Sequence, residues 1–326
     1  MRVLIIKTTS LGDVVHNLPI IADIKQHVPN AQIDWVVEDS FADILKLHPH
    51  INNIIPVAIR RWRKALFSKQ TWREFLAFKR QLQAQQYDYV IDTQGLIKSA
   101  WLCRLAKISN KNARHGHNKN SARESLATCF YQQTHAISKN LHAVARNRIL
   151  AALALSYTAP TSAPNYGVMA DLTRLNQNTF ALPSQYLLAL HSTSRESKCW
   201  PIEYWIALGK AMQQRGLALV LPWGNAAEEL RAKAIAEAVP SALVLPKLGI
   251  ASLAAIIANA QIIVGVDTGL VHLAVALNKP TVAIYTDTNP ALTGVYPSVA
   301  GNAINLGSAG NTPQPQAVLQ AILQLI

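Results

Sequence analysis

The chain is poor in the features that announce the commonest site chemistries. Its only three cysteines, Cys103, Cys129 and Cys199, are odd in number, far apart and without a Cys-x-x-Cys pair. That argues against a disulfide framework, a zinc knuckle or a dithiol centre, and reduced, mostly buried thiols are expected. Uninterrupted apolar runs are short. The longest, Ile149 to Leu155, has seven residues, whereas a membrane-spanning helix needs about twenty. The start, Met1-Arg2 followed by four apolar residues and Lys7, lacks the apolar core of about 7–15 residues found in secretory signals, so a cytosolic chain is expected. Glycine-rich phosphate loops are missing. No Gly-x-Gly-x-x-Gly follows an apolar strand and no Gly-x-x-x-x-Gly-Lys-Ser/Thr occurs, which removes the main support for a dinucleotide fold motif or a P-loop. There is no Asp-x-Asp pair to hold a divalent ion against a diphosphate. His115-Gly116-His117 offers two potential ligands without a third nearby and reads as a solvated loop rather than a metal site.

Acidic residues are scarce in one half. Residues 1–160 hold 22 Lys and Arg against 10 Asp and Glu, whereas residues 161–326 hold 9 against 8. Nearly all of the net charge of +13 therefore lies in the N-terminal half. So lopsided an excess suits a polyanionic partner of that half: nucleic acid, anionic lipid or a phosphorylated substrate. Its densest part is Arg60-Arg61-Trp62-Arg63-Lys64, continued by Lys69, Arg73, Lys79 and Arg80 with almost no acidic residue nearby. Such a run is either a solvated face or an anion site, and the mutual repulsion of unpaired cations favours the anion site. Lys98, Arg123 and Arg146 are candidates to join it.

What is present points to two α/β domains. A chain of 326 residues exceeds the size at which one core usually stops growing. Buried-strand candidates recur at Val3 to Ile6, Ile33 to Val37, Ile54 to Val57, Tyr89 to Ile91, Tyr186 to Leu190, Ala218 to Leu221, Leu243 to Leu245, Ile262 to Val266 and Thr281 to Tyr285. Helical patterns lie between them, clearest at Trp72 to Gln86 and Trp205 to Gln213, and this alternation argues for parallel sheets covered on both faces. The Ser-, Thr- and Pro-rich stretch 156–165 is the linker candidate. It separates a domain at 1–158 from one at 166–310, and a terminal helix at 316–326 carries an apolar stripe that must dock somewhere.

Three strand-to-helix junctions carry candidate chemistry. Asp13 follows the first strand at the start of a helical pattern, and it is either a helix cap or a catalytic base. After Tyr186 to Leu190, the segment His191 to Pro201 gathers hydroxyls and Lys198 just ahead of a helix N-terminus, an arrangement suited to a phosphate or to an ordinary polar loop. After Ile262 to Val266, Asp267-Thr268-Gly269 opens a helix. Asp267 or Thr268 can cap it, and Gly269 permits close approach of a ligand to the backbone.

The segments KTTSLGDVVHNLP at the start, IPVAIRRWRK at 55–64, IDTQGLIKSA at 91–100, KCWP at 198–201, LPWGNAAEE at 221–229 and VGVDTGLVHLAVAL at 264–277 together resemble the ADP-heptose:lipopolysaccharide heptosyltransferases, most of all their heptosyltransferase I branch. The resemblance covers essentially the whole chain. It implies a glycosyltransferase B fold, two Rossmann-like domains facing across a cleft with the last helix crossing back to the first domain. It also implies inverting, metal-independent transfer of heptose from ADP-L-glycero-β-D-manno-heptose to Kdo of Kdo-lipid A, without a cofactor, by a peripheral protein on an anionic membrane surface at the cytoplasmic face of the inner membrane. Nucleic acid is then not a partner. Asp13 matches the family's base. Thr193, Ser194 and Lys198 are implied to meet the diphosphate, Glu228 the ribose and Leu248 the adenine, with Asp267, Thr268, Gly269 and His272 lining the same donor site. Arg60, Arg61, Arg63, Lys64, Lys98, Arg123 and Arg146 are the acceptor-side candidates, matched to the carboxylates and phosphates of the acceptor.

Overall fold

The architecture comes from a computed structural model that describes residues 1–177 and 180–326. The chain divides into two compact units, Met1–Gly167 and Val168–Ile326. In the first, strands β1 (Arg2–Ile6), β2 (Gln32–Glu38), β3 (Asn53–Val57), β5 (Tyr89–Asp92), β7 (Arg114–His117) and β8 (Gln133–His135) form one parallel sheet in the order β3-β2-β1-β5-β7-β8, and β4 (Gln86–Tyr87) pairs separately with β6 (Lys107–Ile108). Helices α1 (Leu11–Val15), α2 (Pro19–His27), α3 (Ala42–Leu45), α4 (Ile59–Trp62), α5 (Lys69–Leu82), α6 (Ile97–Leu105) and α7 (Ala143–Leu155) connect and cover it. The second unit repeats the plan. Strands β9 (Tyr186–Leu190), β10 (Ala218–Leu221), β11 (Ala242–Val244), β12 (Ile262–Val266), β13 (Thr281–Tyr285) and β14 (Ala303–Gly307) are parallel in the order β11-β10-β9-β12-β13-β14. Its helices are α8 (Ile202–Gln213), α9 (Ala226–Ala238), α10 (Ile250–Asn259), α11 (Gly269–Ala276), α12 (Pro290–Thr293) and α13 (Pro315–Leu323).

Counting each sheet's principal strands in chain order, both read 3-2-1-4-5-6, the doubly wound Rossmann order. Such sheets bind ligands outside the carboxyl ends of the strands where the order reverses. In the first unit that point lies between β1 and β5, and in the second between β9 and β12. The central strands are covered on both faces, so they read as plain apolar runs: Val3 to Ile6 and Ile262 to Val266 have no accessible surface at their apolar residues. No helix among the described residues is long and apolar enough to cross a membrane.

Four expectations are corrected. The terminal helix packs within the second unit, where Val318, Ala321 and Ile322 enter a core with Trp205, Leu208 and Ile284, rather than on the first. The buried indole of Trp200 directs it there, donating from Nε1 to the Pro313 carbonyl at 2.8 Å, because a buried Trp N–H needs a partner. The segment 156–165 belongs to the first unit, since Arg148 donates to the Ser162 carbonyl at 2.6 Å and Tyr157 stacks on His27. His115-Gly116-His117 is a buried strand and not a solvated loop. Its polar groups are met internally: His115 Nδ1 lies 3.1 Å from His135 Nε2, and Arg114 donates from Nε to Cys103 O at 2.9 Å and from Nη2 to Ala106 O at 2.9 Å, satisfying carbonyls at the end of α6. Of the thiols, only Cys103 is buried. Cys129 is exposed on a surface turn and Cys199 is half-buried, all three being free.

Candidate active site

In the first unit β1 ends in Lys7-Thr8-Thr9-Ser10, and α1 begins at Leu11 with Ser10 as its N-cap residue. Asp13 serves this turn and a second purpose together. Its Oδ2 accepts from the Ser10 N–H at 3.0 Å and from Ser10 Oγ at 3.3 Å, while Oδ1 receives Arg123 Nη2 at 3.0 Å. A carboxylate can thus close a helix start and still present an oxygen to a cation. Burial pushes the Asp13 carboxyl up, but the Lys7 and Arg123 charges and the two Ser10 bonds outweigh it and hold the group below its ordinary value. Asp13 is ionised at neutral pH.

Around it lies a set of buried donors with unspent capacity. Lys7 is buried at the end of β1, and burial lowers its ammonium to about 8 despite the neighbouring Asp13. Its Nζ has one long bond, to Thr93 O at 3.3 Å. Gln94, in the loop after β5, accepts from the Thr8 and Thr9 N–H groups at 3.2 Å each, leaving Nε2 buried without a partner. Thr8 Oγ1, His117 Nδ1 and Arg146 Nε are likewise unpartnered. Buried polar atoms are nearly always paired in folded proteins, so such a group marks a place built for a ligand or water. Asp92 shapes this loop, accepting from Tyr131 Oη at 2.7 Å, Ser99 Oγ at 2.8 Å and the Gln94 N–H at 2.8 Å. Burial nevertheless raises its carboxyl.

The predicted acceptor-side cations separate into groups. Arg123 pairs with Asp13, and Arg146 donates from Nη2 to the Ser121 carbonyl at 2.7 Å. Lys98 joins the same loop, its Nζ 3.4 Å from Thr9 Oγ1, with Arg60 and Arg63 among the charges that act on it. Arg60 also stands over the Phe41 ring at 5.3 Å. Arg61 departs from expectation: Asp39 at 2.7 Å and Glu74 at 2.8 Å already neutralise it, because β2 and α5 bring acids beside a run that lacks them in sequence. Arg63 and Lys64 are exposed.

In the second unit the loop after β9 carries Thr193, Ser194 and Lys198, and the loop after β12 carries Asp267. Lys198 Nζ lies 2.6 Å from Asp267 Oδ2, which also accepts from Thr288 Oγ1 at 2.7 Å, while Thr193 Oγ1 donates to the Asp267 carbonyl at 2.9 Å. Burial raises the Asp267 carboxyl, but His272, Lys198 and Thr288 together hold it well below the usual carboxylate range. His272, buried on α11, stands 3.9 Å from Asp267 Oδ1. Thr268 is the N-cap residue of α11 and Gly269 its first residue, so the free N–H groups of that helix open beside Lys198. Ser194 is exposed. Glu228 and Leu248 lie after β10 and β11 at the same end of the sheet. Glu228 accepts from the Gly224 N–H and from Asn225 Nδ2, each at 2.7 Å, and Leu248 is half-buried ahead of α10.

Sequence reasoning passed over Lys7 and Gln94 in the first unit and Thr288 and Arg231 in the second, and it set His117 aside as part of a solvated loop. Arg231 donates from Nη2 to the Trp200 carbonyl and from Nε to the His191 carbonyl, tying α9 to the Lys198 loop. The available signal was polar residues directly following buried strands, as Thr286-Asp287-Thr288 follows β13. No group of three or more metal-ligating side chains occurs among the described residues.

The sequence profile of glycosyltransferase family 9 (heptosyltransferase) matches residues 75–325. The chain belongs to this family. It is 43% identical over 334 residues to lipopolysaccharide heptosyltransferase 1 of Escherichia coli K12, covering all of both chains, and 45% identical over 308 residues to that of Pseudomonas aeruginosa, covering 94% of this chain and 84% of the relative. The solved E. coli heptosyltransferase WaaC with ADP superposes with a TM-score of 0.90 at 42% identity over the full length of both chains. The same enzyme with ADP-2-deoxy-2-fluoro heptose gives 0.87 at 41%. The paired Rossmann-like units are thus the glycosyltransferase B architecture of the family.

Proposed function

We propose that this family member transfers L-glycero-D-manno-heptose from ADP-heptose to a hydroxyl of Kdo on Kdo-lipid A, with inversion at the anomeric carbon. The observation that carries the reading is Asp13: an ionised carboxylate at the switch point of a basic unit, surrounded by donors that its own fold leaves unspent. An acceptor rich in carboxylate and phosphate would engage Lys7, Gln94, Arg123 and Arg146, and its hydroxyl would lose a proton to Asp13 as the oxygen attacks C1. The bond from C1 to the β-phosphate oxygen breaks in the same step, ADP leaves with the electron pair, and positive charge develops on the sugar ring. In the second unit Lys198, the Thr193 and Ser194 hydroxyls and the N-terminus of α11 would receive the diphosphate. These donors would balance the charge of the departing diphosphate without a metal ion. Glu228 is assigned to the ribose and Leu248 to the adenine. The names of the relatives and the ADP-heptose analogue bound to the solved WaaC support the donor assignment.

The acceptor is lipid-linked, and we place the protein peripherally on the cytoplasmic face of the membrane that holds it. The test is transfer from ADP-heptose to Kdo-lipid A and, in parallel, to its mono-heptosylated product. Turnover of the first is expected. Turnover of the second alone would assign the chain to the next step of core assembly instead.

A further inference from the structure

Beside the acceptor-side cations lies an apolar face that the reaction does not use. Trp62, Trp72, Phe75 and Trp101 form a continuous aromatic array, with ring centroids 6.0 Å apart for Trp62–Phe75 and Trp72–Phe75 and 5.7 Å for the stacked Phe75–Trp101 pair. Together with Ile59 and Leu66 they line a pocket of about 280 Å³, at whose edge stand Arg63 and Lys98. The face is open to solvent. Phe67 is 98% exposed, Leu66 and Trp72 57% each, and Leu76 46%. Trp72, Phe75 and Leu76 sit at three- and four-residue spacing on α5, so the chain has spent one side of a helix on apolar residues that meet water. Isolated exposed apolar residues are ordinary, whereas a contiguous patch around a pocket marks an interaction site.

We propose that this face docks on an anionic bilayer, the aromatic pocket receiving one acyl chain and the surrounding cations the lipid phosphates. The charge pattern selects that partner. Arg63, Lys64, Lys69 and Arg73 make no ion pair among the described residues, while the nearby acids Asp39 and Glu74 are both consumed by Arg61. The rim is therefore of one sign around an aromatic centre, the complement of a phosphate layer over hydrocarbon. Tryptophan suits that depth because its ring is apolar and its N–H is not. Position agrees as well. Lys98 lines the pocket and its Nζ lies 3.4 Å from Thr9 Oγ1, in the loop that presents Asp13, so docking sets the acceptor site at the level of the headgroups.

This inference deepens the membrane association proposed above, and its decisive measurement is vesicle binding, made with and without the lipid acceptor in the vesicles. The full chain is mixed with vesicles of phosphatidylcholine alone or with phosphatidylglycerol added, and bound protein is recovered by flotation. Binding to the phosphatidylglycerol vesicles, weakened by salt, is expected, with little binding to phosphatidylcholine. The double substitution Phe67→Ser and Trp72→Ser should lower the partition coefficient about tenfold or more, the scale set by withdrawing one large apolar side chain from hydrocarbon. Lys69→Glu with Arg73→Glu should abolish the preference for phosphatidylglycerol. Both variants should melt like the parent and turn over a soluble, deacylated Kdo acceptor at the parent rate. Undiminished vesicle binding by both variants, equal binding to phosphatidylcholine, or binding only when the vesicles contain the lipid acceptor would each overturn the proposal, the last by making the pocket a site for the acceptor's own chain. Failure of transfer to the soluble acceptor by the parent protein would instead strike the assigned reaction and leave the docking result standing.

Discussion

Replacing Asp13 by Asn separates its two duties. The amide keeps an oxygen to accept the Ser10 N–H, a bond of 3.0 Å in the parent, and it fills nearly the same volume, so the start of α1 is preserved. What disappears is charge and the ability to take a proton. The lost ion pair with Arg123 is partly solvated, with Arg123 47% and Asp13 16% exposed, and a pair of that kind contributes about 1 kcal/mol or less. That corresponds to a fall in melting temperature of about 2–4 °C. The loss in rate is far larger. A positioned general base contributes about 10²–10⁴-fold, or roughly 3–5 kcal/mol of barrier. Donor affinity should stay within about twofold of the parent, since every residue assigned to ADP-heptose lies on the second unit, and a twofold change is only about 0.4 kcal/mol. The assay is single-turnover transfer under saturating donor, with calorimetric titration of ADP-heptose and a thermal melt on the same preparation. A kcat within about tenfold of the parent, below the usual range for such a base, would refute the base role and leave Asp13 a helix cap. A parallel loss of donor affinity would make it a donor ligand instead.

Three further outcomes are expected. Lys198→Ala removes the cation 2.6 Å from Asp267 and should lower kcat about 10²–10³-fold, as loss of one preorganised electrostatic donor does; unchanged steady-state kinetics would return Lys198 to an ordinary surface lysine. Lys7, buried and lowered to about 8, is a cation only below that pH, so kcat/KM for an anionic acceptor should fall as pH rises through about 8, and Lys7→Met should remove that limb of the profile while Asp13 stays ionised throughout. Gly116→Ala places a Cβ inside the Tyr131 ring, which cannot withdraw without breaking its 2.7 Å bond to Asp92; overpacking of this kind costs about 1–3 kcal/mol, and a melting temperature equal to the parent's would show that β7 has room.

The legible part of the fold is the part in which burial and apolarity coincide. Val3 to Ile6 in β1, Leu187 to Leu190 in β9, Ile262 to Val266 in β12 and Val282 to Ile284 in β13 are dominated by Val, Ile, Leu and Ala and sealed on both faces, and their order along the chain with helices between them is the signature of a parallel sheet. β7 is sealed too, but Arg114 and His115 are buried because partners elsewhere receive them: the end of α6 takes Arg114, and the half-buried His135 of the edge strand β8 takes His115. Burial holds His115 down to about 4, so the pair is neutral. Nothing in Arg-His-Gly-His foretells those partners. The same limit governs Arg61, whose neutralising acids lie 22 and 13 residues away. The stripe on α13 was readable as something to be buried, but its destination depends on Trp200 and Pro313, a contact 113 residues long. The placement of Asp13, Lys198 and Asp267 was readable for a simpler reason: the segments that follow the buried strands β1, β9 and β12 emerge at the carboxyl edge of the sheet.

The two switch points solve one electrostatic problem in the same way. Each gathers cations where the proposed function puts an anion, and a cation without a counter-ion there would be costly to hold partly buried. Each therefore carries its own carboxylate: Asp13 at 3.0 Å from Arg123 in the first unit, Asp267 at 2.6 Å from Lys198 in the second. The two differ in how firmly the carboxylate is held. Asp267 is fixed by Lys198, Thr288 and the approach of His272, so under the proposed function a diphosphate would meet Lys198 already oriented by Asp267. Asp13 is fixed on one oxygen by Ser10, and its other oxygen is held by Arg123, whose side chain is half-exposed. An acceptor anion that draws Arg123 toward itself leaves that oxygen unoccupied and raises the affinity of the carboxylate for a proton at the moment a hydroxyl arrives. Arg123→Gln tests this coupling: it should weaken acceptor binding and, by freeing Asp13 in advance, shift the acidic limb of the kcat/KM profile to higher pH. An acidic limb that stays in place would show that Arg123 does not govern the base.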